Sequence, residues 1–198
     1  MNKPFEILKK SIAVVLFTAM LFSCTNDSKE VRDFLAEKNL PIGVAKDAYH
    51  VYKDSGRITS KLITPQLNDF SNRKNHPYNE FPKGVKIINY ENDGKDSVTV
   101  VGDYALSYAK TSISELRGNV VVVNHTDKMK LETDQLFWDQ KNKYFFSEKP
   151  FVLTKLTDST FTKGTGFESR EDLTKWVSKN ITGDLITNED ELWINFGV

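Results

Sequence analysis

The clearest alternation along the chain lies in SVTVVGDYALSYA, where Val98, Val100, Tyr104, Leu106 and Tyr108 share one parity and Thr99, Asp103 and Ser107 the other. Successive strand side chains point to opposite faces, so the segment predicts a strand with one oily and one wet face. The VVVV run at 120–123 is apolar on both parities, which predicts a strand covered on both sides or lying across a closed interior. KMKL alternates cleanly, then slips by one at Thr133 and Asp134 before LFW, the mark of a bulge or corner. In LETDQLFWDQKNKYFFSEKP a charged turn separates two aromatic runs, as in a hairpin. Its expected inward residues are Leu131, Leu136, Trp138, Tyr144 and Phe146, with Phe137 and Phe145 on the opposite parity.

Helical periodicity is confined to VRDFLAEKN, where Val31, Phe34 and Leu35 would share a face. Elsewhere β-branched and aromatic runs alternate with the turn signals DSG, NDGK, RGN, DQKNK and KNITG, which makes the class mostly β. The chain also resembles itself. Val101, Leu106 and Tyr108 are followed 30 residues later by Leu131, Leu136 and Trp138, Leu62 and Leu67 lie 39 residues before Val101 and Leu106, and Phe167 lies 31 after Leu136. About four strand–turn–strand units of roughly 30 residues follow. Such units bury their apolar faces only by stacking, in a closed barrel or in a folded-over sheet with free end strands.

The chain has 198 residues, 39% of them hydrophobic, enough for one domain with a core. Net charge is zero and no basic stripe is present, which argues against nucleic acid as a partner. The first 23 residues differ from the rest. Lys3, Lys9 and Lys10 precede the short apolar run SIAVVLFTAMLF, and LFSC ends at Cys24, the chain's one cysteine. This reads as a signal peptide over 1–23, since an apolar run of about 12 residues falls short of the roughly 20 a spanning helix needs. LFSC resembles a lipobox, which makes Cys24 the candidate lipidation site and a membrane the partner of its acyl chains. Residues 24–46 then form a polar tether with a first helical turn, and 47–198 a single β domain.

Motifs for catalysis are absent: there is no G-x-S-x-G, H-E-x-x-H, C-x-x-C or phosphate loop. His50, His76 and His125 read as surface or turn residues, and NEDE at 188–191 as a solvated tail. No catalytic residue, metal site or cofactor is expected. Gly164 and Gly166 of GTGFES predict a tight turn or bulge, and Ser169 with Asp172 could cap a short helix through DLTKW.

Three segments, VVGDYALSYAKTSISELRGNVVVVN, LETDQLFWDQKNKYFFSEKPFVLT and GTGFESREDLTKWVSKNITGDL, are similar to successive segments of the LptC proteins of lipopolysaccharide transport, whose repeat is shared with OstA-like proteins. HPYNEFPKGVKIINY also resembles lipoprotein members of that group, and the likeness spans about residues 40–186. The resemblance implies a jelly-roll-like, folded-over antiparallel sheet with an oily interior for acyl chains. It implies that an inner-membrane ABC transporter delivers lipopolysaccharide and that an OstA-like bridge protein (LptA) accepts it by edge-strand pairing. Many LptC proteins keep a transmembrane helix where this chain has LFSC. A carrier of multi-chain lipid needs a continuous apolar lining, because each exposed CH₂ costs about 0.8 kcal/mol. Its candidate residues are Val98, Val100, Tyr104, Leu106, Tyr108, Met129, Leu131, Leu136, Trp138, Tyr144 and Phe146. The alternatives are another OstA-like bridge or relay lipoprotein that binds a different amphiphile, and an envelope hydrolase.

Overall fold

The computed structural model of the chain describes residues 28–91 and 94–182. They form one helix, α1 (Ser28–Glu37), and one antiparallel sheet of eleven strands. The strands are β1 (Gly43–Asp54), β2 (Arg57–Phe70), β3 (Tyr78–Phe81), β4 (Val85–Glu91), β5 (Asp96–Gly102), β6 (Tyr104–Tyr108), β7 (Ile113–Asn124), β8 (Met129–Asp139), β9 (Tyr144–Lys155), β10 (Thr160–Arg170) and β11 (Trp176–Thr182). The segment read as a signal peptide, Cys24 and the acidic tail lie outside the described residues. The sheet itself begins at Gly43, inside the segment read as tether.

One sheet becomes two facing halves because its long strands bend in the middle. Strand β2 pairs with β4 through 60–63 and with β3 through 68–70; β7 pairs with β6 through 113–117 and with β5 through 121–124. The pairings β2–β4–β5–β7–β6–β3–β2 therefore form a circuit through both half-sheets. Strands β8 to β11 extend it on one side and β1 on the other. Among the described residues β1 pairs only with β2 and β11 only with β10, so the folded sheet keeps two end strands. This is the jelly-roll-like, folded-over arrangement.

The bends follow from local chemistry. Pro65 lies between the two pairings of β2, Gly118 and Asn119 take positive φ (72° and 45°) in β7, and Gly166 takes φ 75° in β10. Register shifts in β7, β8 and β10 fall at 117/120, 133/137 and 165/167, so the slip at Thr133 and Asp134 is a corner. A corner removes carbonyls from the ladder, and buried hydroxyls take them up. Thr64 donates to Gly84 O (2.8 Å), Thr133 to Pro150 O (2.9 Å) and Ser147 to Gln135 O (2.7 Å).

Three expectations are corrected. SVTVVGDYALSYA is two strands, β5 and β6, broken at Asp103, where the chain passes from one half-sheet to the other. Asp103 is held by its N–H to Gly118 O (3.0 Å) and by Asn119 Nδ2 (2.6 Å). DLTKW is a turn rather than a helix: Asp172 Oδ1 accepts from Thr174 N at 3.0 Å, and Leu173 N donates to Arg170 O at 3.0 Å. The VVVV run of β7 is fully buried on one face only, through Val120 and Val122, with Val121 and Val123 half-buried.

Helix α1 sits beside the turn after β2. Arg73 donates to Ala36 O (2.9 Å) and Asn39 Oδ1 (2.8 Å), and Asn72 donates to Arg32 O (3.2 Å). Its expected apolar face is largely uncovered: Val31 and Phe34 are 52% and 56% exposed.

Candidate binding interior

Cross-strand register decides which residues line the fold. Leu62, Ile87, Val100, Val122, Leu131, Leu153 and Thr162 are successive partners across β2, β4, β5, β7, β8, β9 and β10. All seven are buried, and at about 4.8 Å per strand the row runs roughly 29 Å. Opposite them, on the second half-sheet, lie Ala105, Leu116 and Leu136, which are partners in β6, β7 and β8. All these apolar residues join one core cluster, so the two half-sheets close on a single packed interior. Toward the β11 end the interior is aromatic. Phe151 and Phe167 stand 4.9 Å apart with Trp176 stacked 6.2 Å from Phe167, and Trp138 lies 5.7 Å from Phe145.

The sequence-derived candidates divide between two faces. Val100, Leu131 and Leu136 are fully buried, Trp138 and Met129 nearly so, and Val98 packs against the core from its edge. Tyr104, Leu106, Tyr108, Tyr144 and Phe146 are instead half-buried on the outer face of the second half-sheet. There Leu106 pairs with Glu115 and Tyr104 with Arg117, and Phe146 stacks on Phe137 at 5.1 Å. The inward residue of YFF is Phe145, at 0% exposure. The facing expected for those five, and for Phe145, is thus reversed.

One residue of register accounts for the reversal. Val100, Leu131 and Thr162 are spaced by 31, as are Ala105, Leu136 and Phe167, and both sets are buried. A repeat taken as 30 aligns Leu106 with Leu136 and Tyr108 with Trp138, each pair on opposite faces; a slip of one flips every side chain. The signal for 31 was present in Leu136 and Phe167. Ala105 concealed it in β6, since a small residue gives hydrophobic periodicity no weight.

The outer face carries its own chemistry. Tyr104 donates to Glu80 Oε1 (2.9 Å), and burial, followed by that hydrogen bond, pushes its pKa up to about 12. Burial works to raise the pKa of Glu115, but hydrogen bonds from Arg117 (2.7 Å) and Gln135 prevail and hold it below the usual carboxylate range. Tyr144 donates to Glu168 Oε2 at 3.0 Å. Two phenols on this face, Tyr104 and Tyr144, are thus paired with carboxylates.

A pocket of about 370 Å³ opens where the half-sheets meet at their tips. Asn89, Glu91, Val98, Asn124 and Asp127 line it from the first half-sheet, and Lys143, Arg170, Glu171 and Asp172 from the second. Lys143 is ion-paired with Glu91 across the gap. Trp138 Nε1 donates to Glu171 Oε2 at 3.0 Å, and burial raises the Glu171 pKa against the opposing pull of that bond, Lys143 and Asn89. Among the described residues no group of three His, Cys, Asp or Glu side chains could hold a metal ion. No helix there is long and apolar enough to cross a membrane.

Comparison with curated proteins gives no match. The family model described as lipopolysaccharide-assembly, LptC-related, matches residues 12–175, covering most of the chain and nearly all of the sheet. The chain belongs to the LptC-related family of lipopolysaccharide assembly.

Proposed function

We propose that the protein is a membrane-anchored periplasmic carrier that takes lipopolysaccharide from an inner-membrane ABC transporter into the interior of its folded sheet and passes it to an OstA-like bridge protein. Its part in lipopolysaccharide transport at the cell envelope follows from the family. The observation that supports the finer reading is the row from Leu62 to Leu153, an apolar lining continuous across six strands and bounded by end strands at β1 and β11. Acyl chains lie against such a lining through non-directional contact, at about 0.8 kcal/mol per CH₂ withdrawn from water, which lets them slide rather than lock. An end strand carries unpaired backbone groups, which suit edge-to-edge pairing with a protein of the same build. Cys24, with acyl chains attached, serves as the anchor.

Photocrosslinking amino acids in cells test this. Placed at Leu131 or Trp138, inside the fold, they capture lipopolysaccharide; placed at Leu106 or Lys110, outside it, they do not. Adducts confined to the outer positions would sink the reading. Hand-off needs association with an OstA-like partner at tens of micromolar or tighter, read by fluorescence anisotropy.

A further inference from the structure

The interior is full. Val100, Leu116, Leu131, Leu136, Leu153 and Phe167 have no exposed surface, so an acyl chain enters only where side chains move aside. The tips of the two half-sheets are bridged by the Lys143–Glu91 ion pair and by the turn between β10 and β11, Arg170 to Lys175. Arg170 N donates to Lys175 O (3.1 Å) and closes the turn. Its contacts reach both halves. Glu171 N donates to Lys143 O (3.0 Å) and the Glu171 carboxylate accepts from Trp138, both on the second half-sheet. Asn124 Nδ2, at the end of β7 on the first, donates to Asp172 O at 2.6 Å. Between these ties Leu173 turns into the core cluster, 1% exposed, on a backbone at φ 60° that leucine seldom adopts. A buried aliphatic side chain delivered by a tight turn, in a strained conformation and beside a polar pocket, is built to leave its seat more readily than a strand residue.

We propose that the turn from Arg170 to Lys175 is a displaceable strap, and that the Leu173 side chain holds the place an acyl chain takes when an amphiphile enters between the tips of the two half-sheets. Displacing the strap frees an apolar slot that continues into the core row, while the adjoining pocket, walled by Asn89, Asn124, Lys143 and Arg170 together with the carboxylates of Glu91, Asp96, Asp127, Glu171 and Asp172, faces the polar head. The chemistry selected is an acyl chain joined to a charged or hydroxylated head. Strand exchange at β1 or β11 is not required for loading, which leaves both ends to partners. The proposal rests on the carrier reading above.

A reversible lock tests it. Asn124 Nδ2 lies 2.7 Å from Asp127 Oδ2 and 2.6 Å from Asp172 O, so Asp127→Cys and Asp172→Cys in the full chain fall within reach of a short, reductively cleavable bismaleimide. That bridge ties the strap to the first half-sheet. Loading with purified lipid A is read by native mass spectrometry before and after cleavage, with the Leu173→Ala chain in parallel. The expected result is at least tenfold less bound lipid in the locked protein, recovery on cleavage, and faster loading of the Leu173→Ala chain. Equal loading in locked and cleaved protein overturns the strap and leaves the carrier reading standing. Absence of loading in the unmodified chain overturns the carrier reading, and the strap with it.

Discussion

Trp138 and Phe145 meet inside the folded sheet with ring centroids 5.7 Å apart, while their chain neighbours Phe137 and Phe146 stack at 5.1 Å on its outer surface. One hairpin thus carries two aromatic pairs on opposite faces. Only the inner pair belongs to the packed interior.

That division is measurable as stability. Phe145→Ala empties a fully buried site and is expected to cost about 3–5 kcal/mol. Phe146→Ala removes a half-buried ring and its stacking on Phe137, and the pair contributes only about 0.5–1.5 kcal/mol beyond burial. Urea denaturation of the two variants reads the difference. Equal losses would place both rings in the core.

Gly164 is a point where β11 is held close. A Cβ there would press on Asn180 O and lie 2.8 Å from the Phe151 ring. Gly164→Ala is expected to cost about 1–3 kcal/mol by overpacking. It should also speed hydrogen exchange of β11 amides selectively, because the clash opposes the pairing of Gly164 with Ile181. Unchanged β11 protection would contradict this.

Glu171 and Glu115 predict opposite pH behaviour. Burial raises the folded-state pKa of Glu171, so the native state holds that proton more tightly than the unfolded chain does. The resulting stability is fully present below the ordinary carboxyl value of 4.5 and is lost as pH rises through the raised one. Glu171→Gln keeps an acceptor for Trp138 and removes the titration, so relative to the parent it gains stability as pH rises from 4.5 toward neutrality. Burial works to raise the Glu115 pKa, but the hydrogen bonds from Arg117 and Gln135 and the Arg117 charge together outweigh it and leave the value depressed. Its contribution is present above 4.5 and is lost as pH falls through the depressed value, so Glu115→Gln loses stability at neutral pH and approaches the parent in acid. Melting temperatures from pH 3 to 8 check both signs.

Cys24→Ser in cells is expected to abolish incorporation of a labelled fatty acid and to move the protein from the membrane to the soluble fraction. Incorporation that persists, on a chain whose one cysteine is gone, would rule out the lipobox reading.

Much of the architecture was legible in the chain. Alternation and turn signals specified a mostly β protein, the slip at Thr133 and Asp134 specified a corner, and Gly166 marked a bulge. These are properties of neighbouring residues, whose side-chain directions and turn conformations are set by local sterics. The short helix was legible for the same reason, although its exposed Val31 and Phe34 were not.

Which face became the interior was decided only by the tertiary structure. Val98 and Val100 point inward and Tyr104, Leu106 and Tyr108 outward because Asp103 sits at a corner pinned by Gly118 and Asn119. Parity is preserved along a strand and lost across a bend, so no alternation within the segment could carry the answer through it. The strap likewise depends on residues 48 apart in sequence, Asn124 and Asp172, brought together by folding the sheet. The sequence by itself determined strands, corners and a repeat, which are local; the fold decided their facing and the seating of the turn from Arg170 to Lys175, because both arise from contacts between half-sheets.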